Sequence, residues 1–354
     1  MKFALPIVLA CAVGGFSQSG RVKPPENPAP TPKPTQRAPV RYIPTLDPAE
    51  LLRPLPSPTP KRSAGDDEVI RVESTLVPIP ATVLDASGRT VTTLKLEDFE
   101  LHVSGKAAEI SELSRSETPI RLAMLFDNSS SVSIARQFEI KAAIRFFERM
   151  IRPEKDLAAL FSVSTISRLE QPLTSDVRLL TRSVEYFPPP EGATSLLDGI
   201  VKAAQYLGEV RGRRVMVIVS DGDDTYSEAT LEEALSALQL ANCQVYVVKT
   251  TDFENYVRTR SRKGNANIHQ LAAERRMLEI ASQTGGRVYS PIDEKELDEA
   301  FRQISAELSQ QYILSYYPDP QTEKRGEFRH IALTVKKRPD VDVRTRKGYY
   351  VPKR

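Results

Sequence analysis

The sequence predicts an α/β fold built on a doubly wound, mainly parallel sheet, with a β-sandwich beside it formed by the N- and C-terminal segments. Three observations carry this expectation. Apolar runs at residues 122–126 and 215–219 end at polar turns, as strands buried on both faces do. Segments with helical spacing separate these runs, and strand–helix alternation builds a sheet covered on both sides. Short β-type segments with turn signals lie on either side, within residues 66–118 and 312–354.

A chain of 354 residues with 40% hydrophobic content has material for two modest packed domains. A formal charge of +3 is too small to point to nucleic acid as a partner. The two cysteines, Cys11 and Cys243, provide no disulfide framework. His102, His269 and His330 are too far apart for zinc spacing.

Residues 1–17 read as a signal peptide: Lys2, an apolar core at 3–13, and small residues at 15–17. The apolar run is short for a bilayer span, and no other transmembrane run follows. Export to a periplasmic or extracellular site is therefore expected, with a lipoprotein anchor at Cys11 as the lesser reading because residues 8–11 make a poor lipobox. Residues 18–65 form a linker expected to be disordered. Residues 21–60 hold 13 of the 27 prolines and favour extended polyproline conformations. A spacer from an envelope surface is the second reading of that stretch.

Within residues 66–118, strands are expected across 69–83, at 91–96, Phe99–Val103 and 110–113, with Pro78 and Pro80 at a sheet edge or bulge. In the central region Ile140, Ile144, Phe147 and Ile151 mark one helical face, and Pro153 stops that helix. Strands follow at Leu157–Val163, 215–219, Cys243–Lys249 and 287–289. Helices are expected at 177–187, around Leu197–Leu207, and at 230–241, 269–284 and Glu294–Gln310. Cys243 reads as core filler. Residues 250–267 read as a long loop carrying Arg258, Arg260, Arg262 and Lys263, either a solvated charge run or a surface that favours an acidic partner. After Gln311, strands at 312–317, 328–335 and 341–344 are too few for a domain alone and are expected to complete the sandwich begun by 66–118. Tyr316, Tyr317, Tyr349 and Tyr350 suit packing across strands, with a binding cluster as the other reading.

The candidate site begins where the run 122–126 stops. Asp127, Ser129 and Ser131 alternate along a turn at the carboxyl end of a predicted parallel strand, where open α/β sheets hold ligands. Their oxygens suit a hard cation such as Mg²⁺. Taken alone, the same turn would serve as a helix cap. Asp221 follows a second such strand, so both carboxylates and the loop with Thr194 reach one rim of the sheet.

Asp127-Asn128-Ser129-Ser130-Ser131 resembles the DxSxS motif of the von Willebrand factor type A domain. The segment from Gly192 to Asp198 resembles that family's threonine loop, and the strand 215–220 with Asp221-Gly222-Asp223 resembles the turn carrying its last aspartate. The resemblance covers residues 119–311. With the Glu97–Glu100 segment and the tyrosine-bearing tail, the layout is similar to bacterial VWFA-related exported proteins. The resemblance implies a metal site in which Ser129, Ser131 and Thr194 bind the ion and Asp127 and Asp221 act through water. It also implies one open position for a partner's carboxylate. Ser130 stands where the family has glycine and Asn128 at its variable position, and neither change removes a ligand oxygen. Asp223 and Asp224 suit either an outer contact to the ion or a solvated turn, and Asp198 a helix start.

The expectation is an exported, non-enzymatic binding or adhesion module, with Mg²⁺ (or Mn²⁺ or Ca²⁺) at Asp127, Ser129, Ser131, Thr194 and Asp221, capturing an acidic residue of a protein ligand. Two alternatives come from other classes: a metal-dependent phosphoester hydrolase, and a structural envelope protein with an inactive site. No GxSxG and no phosphate-cradling glycine loop supports the hydrolase. Nothing in the sequence bears on oligomeric state.

Overall fold

The structure is a computed structural model that describes residues 76–115, 118–130, 132, 136–261, 267–319 and 324–351. The expected signal peptide with Cys11, the Pro-rich linker, Ser131, Arg262 and Lys263 lie outside the described residues.

Four strands come first: β1 (Val77–Leu84), β2 (Phe99–Val103), β3 (Lys106–Ala108) and β4 (Glu112–Arg115). The strand expected at 91–96 does not form. Val91 bonds back once to the Val83 carbonyl, and the Leu94 amide goes to the Tyr312 hydroxyl at 2.9 Å, so no ladder can propagate. The strand expected at 110–113 starts two residues later, at Glu112, which leaves Ile110 free to drop into the core.

The centre alternates as expected through β5 (Ile120–Asp127), α1 (Arg136–Met150) and β6 (Leu157–Val163). Next come β7 (Arg168–Thr174), α2 (Val177–Glu185), α3 (Leu196–Gly208), β8 (Arg213–Ser220), α4 (Leu231–Leu240) and β9 (Cys243–Lys249). The region closes with α5 (Thr251–Thr259), α6 (Ile268–Thr284), β10 (Val288–Tyr289) and α7 (Glu294–Gln310). One six-stranded sheet results, in the order β10-β9-β8-β5-β6-β7. Every pairing is parallel except β6 with β7.

Because successive side chains in a strand alternate faces, β5 packs both sides. Leu122, Met124 and Phe126 meet α1, α2 and α7, while Ala123 and Leu125 meet the α3, α4 and α6 side. Two elements of this central region depart from the expected pattern. β7 carries Pro172 and pairs irregularly with β6, as befits an edge strand. Residues 251–259, read as loop, are the helix α5, whose Phe253 stacks on Phe138 of α1 at 4.1 Å. Apolar anchoring thus overrides a charge-rich composition.

The tail supplies β11 (Tyr312–Tyr316), β12 (Phe328–Val335), β13 (Asp342–Thr345) and β14 (Gly348–Tyr350). They interleave with the first four strands in two antiparallel sheets, β13-β1-β11-β4 and β14-β12-β2-β3. Ile79, Ala81, Val83, Leu101, Leu314 and Leu333 are among the residues of the shared core. Tyr316 and Tyr349 are buried with their hydroxyls in contact, whereas Tyr317 is exposed. Cys243 is a buried free thiol pushed up to about 12 by burial, in keeping with a filler role. No helix among the described residues is long and apolar enough to cross a membrane.

Candidate metal centre

The sheet register sets the site. Asp127 pairs with Val163 at the end of β6, Phe126 with Val219 at the end of β8, and Ser220 with Lys249 at the end of β9. The carboxyl ends of four strands therefore open on one rim, and three loops come together there.

The first loop turns on Asp127. Its Oδ1 accepts the Ser129 amide at 2.9 Å, and its Oδ2 accepts the Ser220 hydroxyl at 2.6 Å. The Asn128 amide donates to the Val163 carbonyl. The second loop, 188–195, is tied to the first where the Ser130 amide meets the Gly192 carbonyl and the Glu191 amide meets that of Asn128. Gly192 has a positive φ of 78°, a conformation open to glycine at little cost. The third loop follows Ser220. Amides of Thr225 and Tyr226 donate to the Thr194 carbonyl, and the Thr194 amide donates to the Thr225 hydroxyl at 3.1 Å. Thr194 is held between its neighbours and is buried.

Electrostatics at the rim are unusual. Asp127 is 1% exposed, and burial together with the charge of Asp221 raises its carboxyl to about 6. Behind it, Glu139 on α1 is fully buried, and neither of its carboxylate oxygens has a hydrogen-bond partner among the described residues. Burial, reinforced by Asp127 and Glu254, holds the Glu139 carboxyl well above the ordinary range. Glu254 on α5 is raised to about 7 by burial and by Asp221. Arg136 lies against the rings of Phe126 and Phe187 and donates to the Asp127 carbonyl at 3.3 Å.

These residues fit a hard divalent ion. The donor set is oxygen only, and two carboxylates repel each other in a buried setting that a cation would relieve. The Asn128 Oδ1 is buried without a hydrogen-bond partner among the described residues. No three His, Cys, Asp or Glu side chains among the described residues group to hold a metal. The nearby acids have other tasks. Asp224 accepts the Leu196 amide at the start of α3 and the Ser227 hydroxyl, and Asp198 accepts the amides of Glu228 and Ala229. Asp223 donates its amide to Asp221 at 2.9 Å. In the stretch read as a basic loop, Arg258 pairs with Glu254 and Arg260 lies over Tyr256.

The sequence pattern alone does not single out Ser220, Glu139 or Glu254. Ser220 had a legible signal, as the hydroxyl ending an apolar run beside that of Asp127. The two glutamates had none, since their helix positions look like ordinary surface carboxylates until α1 and α5 close over them.

Searched against family models and against curated proteins, the sequence gave no match. Among solved structures the chain is similar to the PilB minor pilin from Streptococcus sanguinis, at 13% identity and a TM-score of 0.42 over 56% of this chain. The match spans 63% of the length of that pilin. It is similar to BatB from Bacteroides thetaiotaomicron at 15% identity and a TM-score of 0.43, over 54% of this chain and 97% of that one. It is also similar to the vWF domain of the type V pili tip protein Mfa5 from Porphyromonas gingivalis, at 12% identity and a TM-score of 0.42, over 53% and 94%. Von Willebrand factor type A domains thus stand among the structural neighbours of this chain.

Proposed function

We propose that the chain is an exported, non-enzymatic module that captures a protein ligand through a divalent ion, Mg²⁺ first among the choices, at its carboxyl rim. The observation that carries this reading is the buried Asp127 carboxylate, braced by Ser129 and Ser220 and facing the charge of Asp221, where three interlocked loops meet. Asp127, Ser129, Ser131, Thr194 and Asp221 would hold the ion. When bound, it supplies an open position for a carboxylate of the partner, as the type A resemblance implies. Ser220 and the Ser129 amide fix the Asp127 carboxylate in one orientation, and the hydrogen bonds from loop three keep Thr194 in place. Residues 119–311 are the binding domain in this reading, carried on the sandwich of residues 66–118 and 312–354.

Thermal unfolding of the full chain tests the reading, with acetate as a surrogate for the partner's carboxylate. Mg²⁺ should raise the Tm of the wild type, since a ligand bound only by the native state stabilises by RT ln(1 + [L]/Kd). Acetate should raise it further in Mg²⁺ than in EDTA. Thr194→Ala should lose both increments while keeping its metal-free Tm. An acetate effect indifferent to Mg²⁺ would refute carboxylate capture at the rim.

A further inference from the structure

One helix of the central unit is apolar on both of its faces. The inner face of α6 buries Ala273, Met277, Ile280 and Ala281. Its outer face carries Ile268, Leu271 and Leu278, which are 78%, 44% and 50% exposed. Their spacing puts the three on one side of the helix, along roughly 15 Å of its length. A surface helix turns one apolar stripe inward and keeps the opposite face polar, so a second stripe marks a surface that another molecule covers.

Arg275 stands within this stripe, between Leu271 and Leu278. It is exposed, and among the described residues it has no hydrogen bond or ion pair. Glu279, one turn further on, instead accepts the Gln283 side-chain amide at 2.7 Å. Alongside lies a groove of about 610 Å³, lined by the apolar Leu197, Leu231 and Ala272 and by Arg275, Arg276 and Glu279. The groove adjoins the carboxyl rim. Leu197 lies three residues after Thr194, and Arg276 donates at 2.8 Å to the carbonyl of Gly222, the residue after Asp221. Charge selects the occupant. A second copy packed here about a two-fold axis between Leu271 and Leu278 would set Arg275 against its own image, and like charges at close range repel. A carboxylate answers the Arg275 guanidinium, and an aliphatic face answers the three exposed side chains.

We propose that the outer face of α6 and its groove dock an acidic amphipathic helix of a protein partner, aliphatic on one face and with a carboxylate placed to meet Arg275. The contact needs no ion. Only its assignment to the same partner that reaches the metal rests on the proposed function, and the two are tested apart.

The test is fluorescence anisotropy of a labelled peptide about four helical turns long, leucine on one face and glutamate on the other, titrated with the full chain in EDTA. The wild type should bind it saturably, and about tenfold or more tightly than the same peptide with lysine in place of glutamate. Leu271→Gln and Leu278→Gln, both at exposed positions, should each weaken binding about tenfold or more. Arg275→Glu should reverse the preference between the two peptides. Absence of saturable binding, equal binding of both peptides, or binding unchanged in the variants would overturn the proposal. So would self-association of the wild type, seen by sedimentation and lost in Leu271→Gln, which would give the face to a second copy. Because the titration is run in EDTA, its failure leaves carboxylate capture at the ion standing, and failure of the Mg²⁺-dependent acetate effect leaves the α6 contact standing.

Discussion

Asp127 keeps one carboxylate oxygen on the Ser129 amide and the other on the Ser220 hydroxyl, which in turn accepts the Gly222 amide at 3.0 Å. Ser220→Ala removes a donor to a buried carboxylate and should cost about 1–3 kcal/mol of stability, the range for leaving a buried charged group short of a partner. Chemical denaturation of the metal-free chain measures it. Glu139 permits a prediction about pH. Asp127, Glu254, Arg136 and Thr250 face it, and the native state holds its proton more tightly than the unfolded chain. Stability therefore falls as pH rises above the ordinary 4.5, through a window that Glu254 extends to about 7. In EDTA, Glu139→Gln should flatten the fall of Tm between pH 5 and pH 8 and raise Tm at the upper end. An unchanged slope would mean that Glu139 is not buried as described. At this scale the sequence was legible where a residue broke a pattern. Asp127 ends an apolar run and Asp221 follows one. Glu139 breaks none, because its burial depends on α5 closing over α1, and the charge-rich composition of residues 250–267 does not announce a helix.

Among the elements, the join between α7 and β11 ties the sandwich to the sheet. Gln311 is fully buried, and its amide donates to the Thr82 hydroxyl at 2.9 Å and to the Gln244 side chain at 3.0 Å. Gln311→Leu strips both acceptors of their donor and should destabilise by about 1–3 kcal/mol. A drop in Tm with unchanged far-ultraviolet circular dichroism is the expected signature. The turn between α6 and β10 has less tolerance still. A Cβ at Gly286 would lie 1.7 Å from the Val245 carbonyl oxygen, so Gly286→Ala should prevent a soluble native fold or lower Tm sharply. Elements with clear periodicity were legible, such as β5, β8, α1 and α7. β7 was not, because its alternation is broken by Pro172 and it pairs on one side only. The segment 91–96 misled in the other direction: its composition suits a strand, but Tyr312 takes the amide that a ladder would need.

At the scale of the whole molecule, the chain ends build one sandwich around the α/β unit, since β11 and β13 both pair with β1, and β12 with β2. A chain ending at Gln311 would leave β1 and β2 with open edges and the sandwich core uncovered, so it should aggregate or bind a hydrophobic dye that the full chain does not. This interleaving was foreseeable, because three tail strands could not stand alone. The carboxyl rim remains the feature from which function is read, and Mg²⁺ binding by calorimetry on the full chain, wild type beside Asp127→Ala, tests it most directly. The expected result is saturable binding in the wild type that the variant loses while it stays folded. Equal binding in both proteins, or none in the wild type, would contradict a metal centre at Asp127.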